Sequence, residues 1–319
     1  MRSHTPGRLR LPSPWATSVS VSRAATLAVV LSLSIIVACK TNTALGAGRA
    51  AVPRVDKVVV VVFENREFSQ VIGGGQAPTF DALARRFALL TDYRGVAHPS
   101  LPNYLALVSG STQEVTSDCT TCVVSARNLA DTLERAGKTW KTYAEGLPAP
   151  GFTGPTAGRY AKKHDPLLYF EDVAGRPERL RRIVPLTAFR RDLQAHALPD
   201  FSLVVPDLCH DMHDCPVSTG DAWLGAFLGP LLRSGELAHG IVYVVFDEGT
   251  GDAGGGGRVP ALVVGPLVRR GARAPGPLDH YSLLRTIEDA WHLPRLGRSG
   301  AARPITGIWR RGLSESPSR

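Results

Sequence analysis

The chain has 319 residues, 44% of them hydrophobic and 20% charged, with 37 lysines and arginines against 28 aspartates and glutamates and a formal net charge of +9. That balance suits a chain with a packed core and excludes a disordered or collagen-like polymer. The positive excess favours anionic substrates or an anionic surface, yet no arginine-rich helix and no zinc-finger spacing points to nucleic acid as a partner.

In chain order, the first predicted element is a targeting segment. Residues 24–37 (AATLAVVLSLSIIV) are apolar and follow Arg2, Arg8, Arg10 and Arg23 with no acidic residue, the charge layout of a secretory signal. The run is short for a membrane span. It ends in Ile36-Val37-Ala38-Cys39, which resembles a bacterial lipobox and predicts a membrane anchor through lipidated Cys39. The alternative is an ordinary signal cut within residues 41–51, and either reading makes the mature protein an exported one. The expected organisation is a signal with lipobox over 1–39, a linker over 40–53, one catalytic domain over 54–310 and a disordered tail over 311–319.

Asp56 to Phe63 (DKVVVVVF) is an all-apolar, β-branched run that stops at Glu64-Asn65-Arg66, as a strand buried on both faces does. Pro78 to Leu90 puts Phe80, Leu83, Ala84 and Phe87 on one face and predicts a covering helix. Helices are expected over Tyr104–Val108 and Asn128–Ala136, a strand over Lys138–Tyr143, and a Gly/Pro-rich loop over Leu147–Thr156. Two further apolar runs, Phe201–Val205 and Ile241–Phe246, lead into Pro206-Asp-Leu-Cys-His-Asp211-Met-His213-Asp and into Asp247-Glu248-Gly249. A glycine-rich loop then closes on Pro260–Val264. This alternation predicts a mostly parallel, three-layered α/β domain.

In such sheets ligands sit beyond the carboxyl ends of the strands, where Glu64, Asp211, His213, Asp247 and Glu248 are expected to gather. Carboxylates brought together need a counter-charge, and oxygen-rich ligation favours one or two divalent cations of the magnesium, calcium or manganese kind. Any one acid alone is equally well explained by an arginine partner or a helix cap. His98-Pro99-Ser100-Leu101-Pro102-Asn103-Tyr104 sets a serine between two prolines that restrict its backbone, although a capping serine in a turn has the same composition. Next to a cation the Ser100 hydroxyl becomes a nucleophile, and Asn103 is placed to donate to a substrate oxygen. Apart from Cys39, the cysteines are Cys119, Cys122, Cys209 and Cys215, an even number in an exported chain. They predict local structural disulfides in preference to a redox dithiol or half of a zinc site.

The ordered set His98-Pro-Ser100-Leu-Pro-Asn103-Tyr, Glu64-Asn65-Arg, Asp211-Met-His213-Asp and Asp247-Glu248-Gly resembles the bacterial phosphoesterase family of acid phosphatases and phospholipases C. Gly158-Arg-Tyr-Ala-Lys-Lys163-His164, Gly220-Asp-Ala-Trp223 and Asp279-His280-Tyr281 extend the likeness over roughly residues 54–310. The resemblance implies an alkaline phosphatase-like three-layer α/β/α sandwich and a serine that is phosphorylated in turn. Carried over by position, Ser100 is the nucleophile, while Glu64, Asn65, Asp247 and Glu248 surround the metal beside it. Asp211, His213 and His280 fall on the far side of the phosphate as second-metal ligands or direct phosphate contacts, with His213 or His280 as proton donor to the leaving group. Asn65, His98, Asn103, Lys163 and His164 are substrate contacts. The chain departs from the wider superfamily in having Asp247-Glu248 where Asp-His is common, and Glu64 where aspartate is common, which weakens the case for a second metal. The expected activity is an acid phosphomonoesterase acting on a small-molecule or lipid phosphate ester, with a phospholipase C or other phosphodiesterase as the alternative. A rival of another class is a surface lipoprotein that binds phosphate or lipid without turnover.

Overall fold

The apolar run that opens the domain becomes the middle of a sheet. In the computed structural model, which describes residues 52–310, strand β1 (Lys57–Phe63) is followed by helix α1 (Pro78–Arg86), strand β2 (Ala88–Leu90), helices α2 (Ser100–Ser109) and α3 (Leu129–Arg135) and strand β3 (Trp140–Ala144). Then come β4 (Ile183–Pro185), α4 (Thr187–Gln194), β5 (Phe201–Val205), α5 (Val217–Arg233), β6 (Gly240–Phe246), β7 (Ala261–Val264), β8 (Arg273–Ala274) and α6 (His280–Trp291). These elements lie in Ala47–Arg319, which forms one compact unit with its own core. The expected signal, lipobox and tail fall outside the described residues.

The eight strands lie in the order β8-β2-β7-β6-β1-β5-β3-β4. From β6 to β4 every pairing is parallel, with Val58 opposite both Phe201 and Ile241, whereas β7 runs antiparallel to β6 and β2. Every residue of β5 and β6 and all but the first of β1 are buried, a pattern that requires cover on both faces. Helices α1, α4 and α5 supply one layer. There Phe63 meets Phe80 at 5.3 Å, Phe246 at 5.3 Å and Trp223 at 5.9 Å, and Phe189 meets Phe227 at 4.8 Å. Truncating such a ring to alanine costs about 3–5 kcal/mol. Helix α2 packs against both α3 and α6 to form the other layer.

Two expected boundaries move. The covering helix ends at Arg86 rather than Leu90, because Ala88–Leu90 pairs with β7 and β8, and sheet hydrogen bonding wins over the helical periodicity of the run. The helix expected from Tyr104 begins at Ser100, with Pro102 tolerated in its first turn, where its missing N–H has no intrahelical partner to lose. Both disulfides are local, Cys119–Cys122 and Cys209–Cys215.

Candidate active site

Strand register brings the chemistry together. Phe63 of β1 lies opposite Phe246 of β6, so Glu64 and Asp247 leave adjacent strands side by side. The loop after β5 is tied to them: Glu64 N–H donates to the Asp211 carbonyl at 2.8 Å, and Arg66 donates to the carbonyls of Met212 at 2.6 Å and Cys215 at 3.1 Å. The Cys209–Cys215 bridge closes this same loop, so it holds Asp211 and His213 on a short tether.

Ser100 is the first residue of α2, where unpaired backbone N–H groups favour negative charge. Its buried Oγ lies 2.8 Å from Glu64 Oε2 and 3.2 Å from Glu248 Oε1. A hydroxyl has one proton to donate, so one of these two carboxyl groups must itself be protonated or be balanced by a cation. Asn65, in the left-handed region at φ 53°, donates its N–H to Asp247 Oδ1 at 3.3 Å and its side-chain amide to Glu64 Oε2 at 3.3 Å. Glu64 Oε1 and Asp247 Oδ2 are buried without any hydrogen-bond donor.

Burial, together with the Asp211 charge, pushes Glu64 up to about 8. Burial raises Asp247 well above the carboxylate range, with Glu64 and Glu248 adding to it, and also raises Glu248. Acids held partly protonated by desolvation and mutual repulsion, with orphaned oxygens, form a donor set that exchanges protons for a hard cation. Glu64, Asp247, Glu248 and Ser100 Oγ fit that role, with Asn65 beside them.

Asp211 stands one step away. The buried His164 ring separates it from Glu64, with Nε2 3.1 Å from Glu64 Oε1 and Nδ1 3.3 Å from Asp211 Oδ2 but aligned to hydrogen-bond with neither, and stacks on Tyr104 at 5.2 Å. Burial, with Lys163 adjacent, depresses His164 well below the usual imidazole range, while burial lifts Asp211 to about 7. The Lys163 ammonium lies 2.9 Å from Asp118 and 3.4 Å from His213 Nε2. Burial alone would lower Lys163, but the carboxylates of Glu64 and Asp118 outweigh it and keep the group charged. His213 donates its other ring nitrogen to Asp214 at 2.6 Å. Lys163 therefore sets a positive charge opposite the carboxyl cluster, with the neutral His164 ring beside it and His213 within 3.4 Å of the ammonium.

Three expected roles are corrected. Asn103 does not face substrate: its Oδ1 accepts from the N–H groups of Val96 at 2.8 Å and Ala97 at 3.1 Å, and its Nδ2 donates to the carbonyls of Ala97 at 2.8 Å and Pro99 at 3.1 Å. With all its capacity used, it clamps the 96–99 loop that leads into Ser100. His280 is not the leaving-group acid. Its Nε2 donates to the Asp247 carbonyl at 2.6 Å, its Nδ1 accepts from Tyr93 at 3.0 Å, and burial lowers it to about 4, so it is a neutral prop beneath Asp247. His98 is also engaged, by Glu248 and by the Gly251 carbonyl at 3.1 Å, and so orients an acid of the cluster.

Sequence reasoning missed the residues that hold the frame. Glu67 Oε1 accepts from the N–H groups of Thr250 at 3.0 Å and Gly251 at 2.8 Å, and a Cβ on Gly257, at φ +82°, would come within 2.6 Å of that oxygen. The glycine-rich loop is thus glycine because it wraps a carboxylate. Asp118 holds both Lys163 and the Leu101 N–H at 3.0 Å, a pairing across 17 residues that no local motif announces. A separate group, Glu145, Asp207 and His210, also brings three ligand-type atoms together at the ends of β3 and β5. Its members satisfy one another, with His210 Nδ1 2.9 Å from Glu145 Oε2.

Comparison with known proteins agrees with this geometry. The sequence pattern of the phosphoesterase family matches residues 74–294. The chain is 37% identical over 268 residues to a phosphatidylinositol-3-phosphatase of Mycobacterium tuberculosis, covering 83% of this chain and 86% of that one. It is 31% identical to a phosphate-repressible acid phosphatase of Penicillium chrysogenum and 30% identical to a probable acid phosphatase of Kluyveromyces lactis; the matches cover 76% and 75% of this chain but only 60% and 59% of those longer proteins. Among solved structures, the lipoteichoic acid synthase LtaP of Listeria monocytogenes superposes with a TM-score of 0.55 at 12% identity, covering 76% of this chain and 73% of that one. An alkaline phosphatase superfamily protein of Vibrio parahaemolyticus superposes with a TM-score of 0.53 at 14% identity, covering 76% and 68%. With its serine set among carboxyl groups at the carboxyl ends of the strands, the chain belongs to the phosphoesterase family, as a hydrolase of phosphate esters on the alkaline phosphatase fold.

Proposed function

We propose that this protein is an exported acid phosphomonoesterase that works through a phosphoserine on Ser100 with the help of a divalent cation. The observation that carries the reading is the buried Ser100 hydroxyl, held at the start of α2 within hydrogen-bond reach of both Glu64 and Glu248. A hydroxyl so placed loses its proton to a neighbouring carboxyl as Oγ bonds to phosphorus. The P–O bond to the alcohol breaks in the same displacement, and His213, at the mouth of the site, gives the leaving oxygen its proton. Water then attacks the phosphoserine, the P–Oγ bond breaks, and Oγ regains a proton. Lys163, kept charged, and the N-terminus of α2 balance the charge on the non-bridging oxygens. A magnesium, manganese or calcium ion held by Glu64, Asp247, Glu248 and Ser100 would supply Lewis-acid stabilisation and favour the ionised serine.

The monoester preference draws on relatives named as acid phosphatases and as a phosphatidylinositol phosphatase. Its test is phosphate release from p-nitrophenyl phosphate against p-nitrophenyl phosphocholine, before and after chelation. Turnover of the monoester that depends on cation and on Ser100 supports the reading. Turnover of the diester alone moves the assignment to a phosphodiesterase, and binding without turnover of either moves it to a non-catalytic lipoprotein. Export and anchoring rest on the lipobox ending at Cys39. Metabolic labelling with a clickable fatty acid tests them, with Cys39→Ser as the control that should lose the label.

A further inference from the structure

The strands of the sheet also have amino ends, and these carry the opposite chemistry. A groove of about 740 Å³ opens there between the end of α1, the turn before β6 and the segment after β7. Its apolar floor includes Phe87, Leu237 and Val268, and Arg85, Arg86, Arg270 and Arg310 stand around it, all exposed, with no acidic residue in its lining. Among the described residues none of the four arginines has a carboxylate within salt-bridge distance. Arg86 lies over the Phe87 ring at 5.0 Å, and Arg310 donates to the Val268 carbonyl at 3.3 Å. The two acids next to lining residues along the chain are engaged elsewhere: Asp81 accepts from the Gly73 N–H at 2.9 Å, and Glu236 is turned to Lys57 at 3.7 Å and His196 at 2.8 Å.

The location follows from register. Gly265, at the end of antiparallel β7, packs against Gly240 at the start of β6, and a Cβ on it would meet the Gly240 carbonyl at 2.7 Å. The active site begins at the other end of the same strands. The seven residues of β1, at about 3.3 Å each, put roughly 20 Å between the two edges. The chain also enters here: Asp56 N–H donates to His239, and Trp291 donates to the Val55 carbonyl, both beside the start of β1.

We propose that this groove docks the catalytic unit on an anionic bilayer, with the site around Ser100 turned away from that membrane toward phosphate esters in the aqueous space beyond it. Four guanidinium groups with no carboxylate partner among the described residues, set around an apolar floor, complement anionic headgroups and the acyl boundary beneath them. The chain's own linker is a poor occupant, because residues 40–53 carry Lys40 and Arg49 and no acid. Fully extended at about 3.5 Å per residue, the linker reaches close to 50 Å, ample for the unit to lie on the surface that holds its anchor. Identifying that surface as the anchoring membrane rests on the lipidated Cys39 reading; the affinity of the groove for anionic lipid does not.

The test uses residues 47–319, the compact unit without its anchor, in cosedimentation with vesicles of phosphatidylglycerol and phosphatidylcholine against vesicles of phosphatidylcholine alone. Binding should require the anionic lipid and weaken with salt. Arg85→Gln, Arg86→Gln, Arg270→Gln and Arg310→Gln should each lower the partition coefficient about fivefold, and the four together by roughly a hundredfold or more. The four-lysine variant should retain binding, and all variants should turn over p-nitrophenyl phosphate at the parent rate, which also shows that they fold. Turnover by vesicle-bound enzyme should equal that in solution. Equal binding to neutral vesicles, or binding unchanged by the four glutamines, overturns the docking surface. Loss of turnover on vesicle binding overturns the orientation. Failure of Cys39 to take up lipid would leave these results standing and remove only the anchor.

Discussion

The two ends of the same strands are built from opposite materials. At the carboxyl ends Glu64, Asp211, Asp247 and Glu248 are buried, and burial raises all four toward the neutral acid. At the amino ends four arginines stand in solvent around an apolar floor. Desolvated charges are expensive, so the first arrangement persists only if something enters to balance it, whereas solvated arginines cost the fold little and await a partner at no structural risk. The contrast separates a site that changes bonds from a surface that positions the enzyme, and it predicts that the two can be removed independently.

The largest effect should come from Ser100→Ala. Turnover of p-nitrophenyl phosphate should fall on the order of 10⁴-fold or more, since the group that forms the covalent bond is gone, while anionic-vesicle binding stays as it was. Coupled loss of both would break the contrast between the edges. Next is the cation: chelation, or Glu64→Gln, should lower kcat on the order of 10² to 10³-fold. Readdition of magnesium, manganese or calcium should restore the chelated parent and leave the Glu64→Gln variant poorly restored. Because Glu64 rests near 8 without a cation, metal affinity should weaken as pH falls and protons compete for the same oxygens.

The carboxyl edge was legible in the sequence because each of its residues follows its strand at once: Val62-Phe63 leads to Glu64, and Val245-Phe246 leads to Asp247. An apolar run that stops at an acid states both the strand and its active end. The basic groove was not legible, because its wall comes from residues near 85, 235, 268 and 310, which only the antiparallel return of β7 brings together. The roles of Asn103 and His280 were misread for a related reason. A motif says that a polar side chain is near the site, but only the hydrogen-bond partners say whether it faces substrate or backbone. Asn103→Ala sharpens this point. Stranding the N–H groups of Val96 and Ala97 should cost about 1–3 kcal/mol of stability. It should also lower kcat roughly tenfold or more through misplacement of Ser100, with KM little changed.

The smallest expected effect on turnover concerns a buried acid that belongs to neither edge. Asp165 is fully buried, both its carboxyl oxygens lack a hydrogen-bond partner, and the hydroxyls of Tyr160 and Tyr169 are equally unpartnered. Lys162, whose charge acts on Asp165, is turned instead to the Thr120 carbonyl at 2.8 Å. Burial pushes Asp165 up to about 8, above the ordinary value of 3.8. The folded chain therefore holds this proton between about pH 4 and 8 while the unfolded chain has released it, so this group's contribution to stability is full below about pH 4 and is lost as pH rises toward 8. Asp165→Asn, neutral at every pH, should match the parent's stability at pH 4 and exceed it at pH 8.5, by a margin of up to about 5 kcal/mol, read as a higher melting temperature. Chelator sensitivity should not change, because the Asp165 carboxyl shares no hydrogen bond with Ser100 or the carboxyl cluster. A parallel drop in melting temperature at both pH values would instead assign Asp165 a structural bond that its surroundings do not display.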